Sequence, residues 1–223
     1  MRFSPLLLLF AALTSCHSTS TPPTTAEPAS PALLLFTGSS SIRMWYNLQQ
    51  AFPGYKTENT GFGGSQFSDL LEERDEAIYR FLPDVLFIYE GDNDIALGKS
   101  VNEILADADS LIDDIRDRLP TTRIVLISAK PSPSRWHFKD SYTLLNDALL
   151  RMCRDNDKLF FADVWNPMLR ENGRVRGDIF IGDSLHMNEE GYRIWQGILQ
   201  KVLQEQCGVL PVNAASASGK MRP

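Results

Sequence analysis

"DVLFIYEGDND", residues 84–94, holds the pattern on which the fold turns. Val85 to Tyr89 form a short, unbroken apolar run, and Glu90 to Asp94 end it with charge and a glycine. A strand with one face in water alternates polar and apolar positions. A run with no polar position fits a strand covered on both faces, as in a parallel sheet. Similar runs recur as "ALLLF" (32–36), "RIVLIS" (123–128) and "KLFFADV" (158–164), with "YKTEN" (55–59) as a weaker candidate.

The segments between these runs carry helical spacing. Val101, Ile104, Leu105, Ala108, Leu111, Ile112, Ile115 and Leu119 line one stripe, and Ser100 with Glu103 forms a capping box at its start. Tyr192, Trp195, Leu199, Val202 and Leu203 share one face of the last helix. Asn188 can cap that helix, and Glu189 and Glu190 suit the positive end of its dipole. Alternation of strand and helix predicts an α/β three-layer sandwich with a mostly parallel five-stranded sheet and right-handed crossovers, spanning residues 32–207. No internal repeat or second domain is visible.

The chain has 223 residues and a formal net charge of -6, with no basic stripe, which excludes a nucleic-acid partner. Arg2 precedes an apolar run from Pro5 to Leu13. That run is shorter than the ~20 residues a bilayer span needs, so residues 1–15 read as a secretory leader. "LTSC" (13–16) resembles a bacterial lipobox, in which Cys16 would carry lipid. Residues 17–31, rich in Ser, Thr and Pro, suit a flexible tether. This order predicts an exported domain held to a membrane of the bacterial cell envelope by an N-terminal lipid, facing the periplasm or the surface. Residues 208–223 are small and polar and are expected to form a flexible tail. Cys153 and Cys207 remain besides Cys16, and whether they pair is left open.

In open α/β sheets ligands bind beyond the carboxyl ends of the strands. The loops there are "GSSS" (38–41), "NTGFGGS" (59–65), "EGDND" (90–94), "KPSPSRWHF" (130–138) and "IGDSLHMN" (181–188). Of the three histidines, His17 lies in the tether, His137 in the fourth loop and His186 in the last, three residues after Asp183. Serine catalysis needs a base within hydrogen-bond reach and a carboxylate that holds the base in one tautomer. Asp183 and His186 fit those two roles, though taken alone they also read as a capping Asp and a solvated His. The glycines of 61–64 let backbone approach a substrate, and the Asn93 amide is a neutral donor. Each taken alone is an ordinary turn.

Other motifs fail. "GFGGSQ" is not G-x-G-x-x-G, because residue 66 is Gln, and "GSSSI" is not G-x-S-x-G, because residue 42 is Ile. No P-loop lysine follows either glycine stretch. With two histidines in the domain a zinc site is not expected, and the sequence calls for no metal and no cofactor.

The joint order of G-x-S, N-x-x-x-x-G, G-x-N-D and D-x-x-H resembles the SGNH hydrolases, or GDSL-type esterases, from about Leu33 to Leu203. The resemblance implies a flavodoxin-like fold and a serine esterase acting through an acyl-enzyme. It makes Ser40 the nucleophile and places Asp183 and His186 in the triad. Ser40, Gly64 and Asn93 would form the oxyanion hole. Ser39 replaces the family's usual Asp, which is no triad member, and Ser41 is expected to cap the first helix. "HMN" stands for the more usual "HPN". Ser39, Arg135, Trp136 and His137 are candidate substrate contacts, with packing under the loop an equal reading for Trp136. The expected partner is a small-molecule or glycan ester, with short-chain acetyl esters of carbohydrates favoured. Alternatives are a lysophospholipase or thioesterase-type acyl hydrolase, an acyltransferase, and a non-catalytic glycan-binding envelope lipoprotein.

Overall fold

The computed structural model describes residues 30–154 and 156–212. Its strands are β1 (Leu33–Gly38), β2 (Lys56–Asn59), β3 (Val85–Tyr89), β4 (Arg123–Ile127) and β5 (Leu159–Ala162). They form one sheet in the order β2-β1-β3-β4-β5, and every pairing is parallel. The helices are α1 (Ser40–Arg43), α2 (Leu48–Ala51), α3 (Phe67–Glu72), α4 (Arg74–Ala77), α5 (Asp92–Ala96), α6 (Val101–Arg118), α7 (Lys139–Arg154) and α8 (Glu189–Lys201).

The continuous apolar runs have the expected consequence. Side chains alternate across a strand, so each run supplies both faces of the sheet. Leu34, Phe36, Val85, Phe87, Tyr89, Val125 and Ile127 pack with Ile42, Trp45, Phe52, Trp195 and Leu199 of α1, α2, α8 and the segments beside them. Leu35, Leu86, Ile88, Ile124 and Leu126 pack on the other face with Phe67, Ile104, Leu111, Tyr142 and Leu145 of α3, α6 and α7. Full burial of one such aliphatic or aromatic side chain contributes about 1.5–3 kcal/mol. Phe36 stacks on Phe87 across β1 and β3, with ring centroids 4.4 Å apart.

The chain first moves from β1 outward to β2, then returns past β1 to β3. The direction of winding therefore reverses between β1 and β3, and a crevice opens at their carboxyl ends. Gly38 and Tyr89 stand in register there. Ser40 begins α1 just beyond β1, and Asn93 lies in α5 just beyond β3.

The Ser100–Glu103 capping box is present at α6, and the Asn188 side chain accepts from the Glu190 and Gly191 N–H groups at α8. Ser41 does not cap α1. It is the buried second residue of that helix, Ser39 holds the cap position without a side-chain bond, and the Ser41 carbonyl accepts from Tyr192 Oη. The tail is tied down as far as Val212, whose N–H donates to Gly54 O, while Tyr55 Oη donates to Val209 O. The half-buried Val209 anchors it. Cys153 and Cys207 are free and buried on opposite faces of the sheet, which stands between them, and burial pushes both thiols up to about 12. The leader, Cys16, all of the tether but its last two residues, and the tail from 213 lie outside the described residues.

Candidate active site

Gly38 ends β1 at φ +124°, and a Cβ there would stand 2.1 Å from Tyr89 O. Only glycine tolerates that contact. The next N–H, from Ser39, donates to the same carbonyl at 3.1 Å, and the chain turns into α1 with Ser40 at its first position.

Ser40 Oγ lies 2.9 Å from His186 Nε2, across 146 residues of chain. His186 Nδ1 lies 2.6 Å from Asp183 Oδ2. The other oxygen, Asp183 Oδ1, accepts from the Leu185 and His186 N–H groups at 2.9 Å each. Ser184, at φ +58°, makes the left-handed step that folds this turn. Burial alone would raise the Asp183 carboxyl. The bonds from the His186 ring and the two backbone N–H groups outweigh it and hold the carboxyl down to about 2. An ionised Asp183 keeps the ring proton on Nδ1 and leaves Nε2 free to accept the serine proton.

Across the crevice, Asn93 is 8 % exposed. Its Nδ2 donates to Ser65 O at 2.9 Å, and its Oδ1 accepts from Nη1 and Nη2 of Arg135, both at 3.0 Å. Gly64, beside Ser65, has φ +86° with open space where a Cβ would go, so conformation and not crowding calls for glycine. Among the described residues neither the Ser40 nor the Gly64 N–H donates to another group.

Beneath Asn93 lies a buried charge cluster. Asp92 Oδ1 accepts from Arg135 Nη1 at 2.6 Å and Tyr142 Oη at 2.9 Å, and Oδ2 accepts from Tyr89 Oη at 2.9 Å and Lys130 Nζ at 3.1 Å. Burial would raise this carboxyl, but the Lys130 and Arg135 charges hold it well below the usual carboxylate range. Glu90, two residues earlier, makes no ion pair among the described residues. Burial and the neighbouring Asp94, Asp69 and Asp92 push its carboxyl well above the usual range. Its Oε1 lies 2.6 Å from Ser65 Oγ, which lies 3.1 Å from Phe62 O.

The structure thus brings Ser40, His186 and Asp183 into one hydrogen-bonded series, and ties Asn93 to Ser65, the neighbour of Gly64. It treats the four candidate substrate contacts differently. Ser39 is 2 % exposed, under the turn. Arg135 is turned inward, because the buried Asp92 needs a second cation. Trp136 is half-buried and stacked on Trp165 with centroids 5.9 Å apart, and His137 is exposed beside Phe138. Sequence reasoning missed Asp92, Lys130, Ser65 and Glu90. One signal was available: Lys130 stands three residues beyond the apolar run of β4, at the head of a strand-end loop; in the structure it is 1 % exposed, and a buried lysine requires a buried carboxylate.

Residues 25–194 match the family model described as GDSL-like Lipase/Acylhydrolase family. No curated protein matches the chain. Among solved structures, a protein of Streptococcus pneumonia provisionally described as a platelet activating factor superposes with a TM-score of 0.69 at 26% identity, covering 80% of this chain and 86% of that one. A catalytic mutant of Axe2, an acetylxylan esterase from Geobacillus stearothermophilus, gives 0.66 at 16%, covering 83% and 98%. The Clostridium thermocellum family 3 carbohydrate esterase gives 0.63 at 18%, covering 80% and 98%.

Proposed function

The chain belongs to the GDSL-like lipase/acylhydrolase family and is an ester hydrolase, and on that premise we propose that Ser40 is its nucleophile, His186 the general base and Asp183 the residue that orients His186. His186 takes the Ser40 proton as Oγ attacks the ester carbonyl. The N–H groups of Ser40 and Gly64 and the second Nδ2 proton of Asn93 receive the charge that develops on the carbonyl oxygen. His186 then protonates the leaving alcohol, and water repeats the sequence on the acyl-enzyme. The observation that carries this reading is the imidazole seated between Ser40 Oγ at 2.9 Å and Asp183 Oδ2 at 2.6 Å. Labelling with a fluorophosphonate probe tests it. Wild-type enzyme should label and Ser40→Ala should not, and a wild type that stays unlabelled under conditions where it hydrolyses p-nitrophenyl acetate overturns Ser40 as nucleophile.

The substrate proposed is a short-chain ester, an acetyl group on a carbohydrate. Ser134 N–H donates to Ser184 O, which joins the fourth loop to the Asp183–His186 turn. Two residues after Ser134, Trp136 joins Trp165, Leu144 and Leu169 with Lys139, Asp140, Thr143 and Asp147 around an open groove of about 400 Å³. Indole faces beside carboxylates and a hydroxyl offer a sugar ring stacking and hydrogen bonds together. The acetylxylan and family 3 carbohydrate esterases that share the fold agree with this reading. A panel of esters from acetyl to long acyl, acetylated sugars included, decides it, and preference for long chains refutes it. We propose further that the domain is exported and lipid-anchored through Cys16 in the cell envelope. Metabolic labelling with a fatty-acid analogue, lost in Cys16→Ala, is the corresponding test.

A further inference from the structure

We infer that Arg135 is a positioning residue for ester hydrolysis: clamped by Asp92, it sets the orientation of the Asn93 amide and sharpens it as a donor to the oxyanion. The inference rests on the oxyanion reading of Asn93 given above. An amide can sit either way round, and the two orientations differ in which edge donates. Here both contacts select the same one. Arg135 has only donors to offer and points both Nη atoms at Oδ1, and Ser65 offers a carbonyl to Nδ2. One Nδ2 proton is used on Ser65, and the second remains for substrate. Two charge-assisted bonds on Oδ1 draw electron density from the amide and make that remaining proton a stronger donor.

The arginine is itself held in place. Its Nη1 reaches Asp92 Oδ1 at 2.6 Å while the same nitrogen reaches Asn93 Oδ1 at 3.0 Å. Adjacent residues of α5 therefore share one guanidinium, one as its anchor and one as its target. Lys130 and the two tyrosines complete the carboxylate, so Asp92 has no free lone pair with which to swing away. A lysine at 135 would keep the charge and lose the fork that meets both residues at once.

The test is a double-mutant cycle on p-nitrophenyl acetate. Arg135→Lys and Arg135→Gln are each measured in the wild-type and Asn93→Ala backgrounds, with thermal unfolding run beside every variant. In the wild-type background kcat should fall on the order of 10–10²-fold with KM nearly unchanged, since a small misplacement near the reacting atoms costs that much. The pH profile should keep its shape, because His186 is untouched. With Asn93 already alanine, either Arg135 change should lower kcat by less than about twofold, the coupling expected of residues acting as a unit. Equal losses in both backgrounds overturn the inference, as does a change confined to KM, which would make Arg135 a substrate contact after all. Should Arg135→Gln fail to fold, Arg135→Lys, which leaves Asp92 its cation, carries the cycle. An Asn93→Ala enzyme as active as wild type overturns the oxyanion reading itself and the inference with it, whereas additive losses on a crippled Asn93→Ala enzyme overturn the inference alone.

Discussion

Asp183 and Asp92 are aspartates on opposite sides of one crevice. The Asp183 side chain is 43% exposed and takes its bonds from residues two and three positions further along the chain. The Asp92 side chain is 5% exposed and takes bonds from residues 38, 43 and 50 positions away, besides the nearby Tyr89. The base side of the site is thus built by a local turn, and the oxyanion side by a buried charge cluster that exists only once the sheet and α7 have assembled. The first can fail chemically while the fold survives. The second cannot fail without disturbing the fold.

The largest expected effect breaks the local side. Asp183→Asn retains an oxygen for the Leu185 and His186 N–H groups but favours the wrong His186 tautomer. kcat should fall about 10⁴-fold, as when the corresponding carboxylate is replaced in other serine triads. Thermal unfolding should barely move. A large drop in melting temperature would show that Asp183 is also structural, and would erase the contrast with Asp92.

Next comes Asp92→Asn. It leaves the charges of Lys130 and Arg135 buried without their carboxylate, a kind of loss that costs about 3–5 kcal/mol of stability. Urea or thermal unfolding reads it directly, and a midpoint unchanged within error would mean that the cluster is relaxed by water. Asn93→Ala sits between the two sides. It should cost roughly 2.7–4 kcal/mol in the barrier, or 10²–10³ in kcat, and about 1–3 kcal/mol of stability, since it also takes the acceptor from two Arg135 N–H groups and the donor from Ser65 O.

How much of this was legible in the sequence follows the same division. Asp183 and His186 are three residues apart, so their joint role is written in local spacing, and Ser40 stands directly after a readable strand. The unbroken strand runs and the periodic α6 stripe are local signals and survive folding unchanged. The whole of "EGDND" reads as a polar turn, however, and only Asn93 in it was singled out. Nothing local marks Asp92 and Glu90 for displacement in opposite directions, because that distinction depends on Lys130 and Arg135, which arrive 38 and 43 residues later. For the same reason Arg135 reads as a candidate substrate contact in the sequence and faces Asp92 and Asn93 in the structure.

Glu90 offers the finest test of the comparison. It shares the end of β3 with Asp92 and is as deeply buried, yet makes no ion pair among the described residues, and its carboxyl is displaced in the opposite direction. With its proton on Oε1, Glu90 can donate to Ser65 Oγ and leave the serine proton for Phe62 O, while among the described residues Oε2 has no partner. Glu90→Gln preserves the volume and a donor, and at pH 4 it should change stability by no more than about 1 kcal/mol, in contrast to Asp92→Asn. The pH dependence has a definite sign. A carboxyl whose folded pKa exceeds its unfolded value, about 4.3, holds its proton in the folded state after the unfolded chain has released it. Its contribution is therefore full below that pH and declines as pH rises, by up to about 1.4 kcal/mol per unit, until the folded pKa is reached. Glu90→Gln removes this decline, so the variant should gain on wild type between pH 4 and pH 8 in paired melting curves. Curves that stay parallel across that range would mean that Glu90 is ionised in the fold, and that the strand end tolerates an unpaired anion beside the one it neutralises.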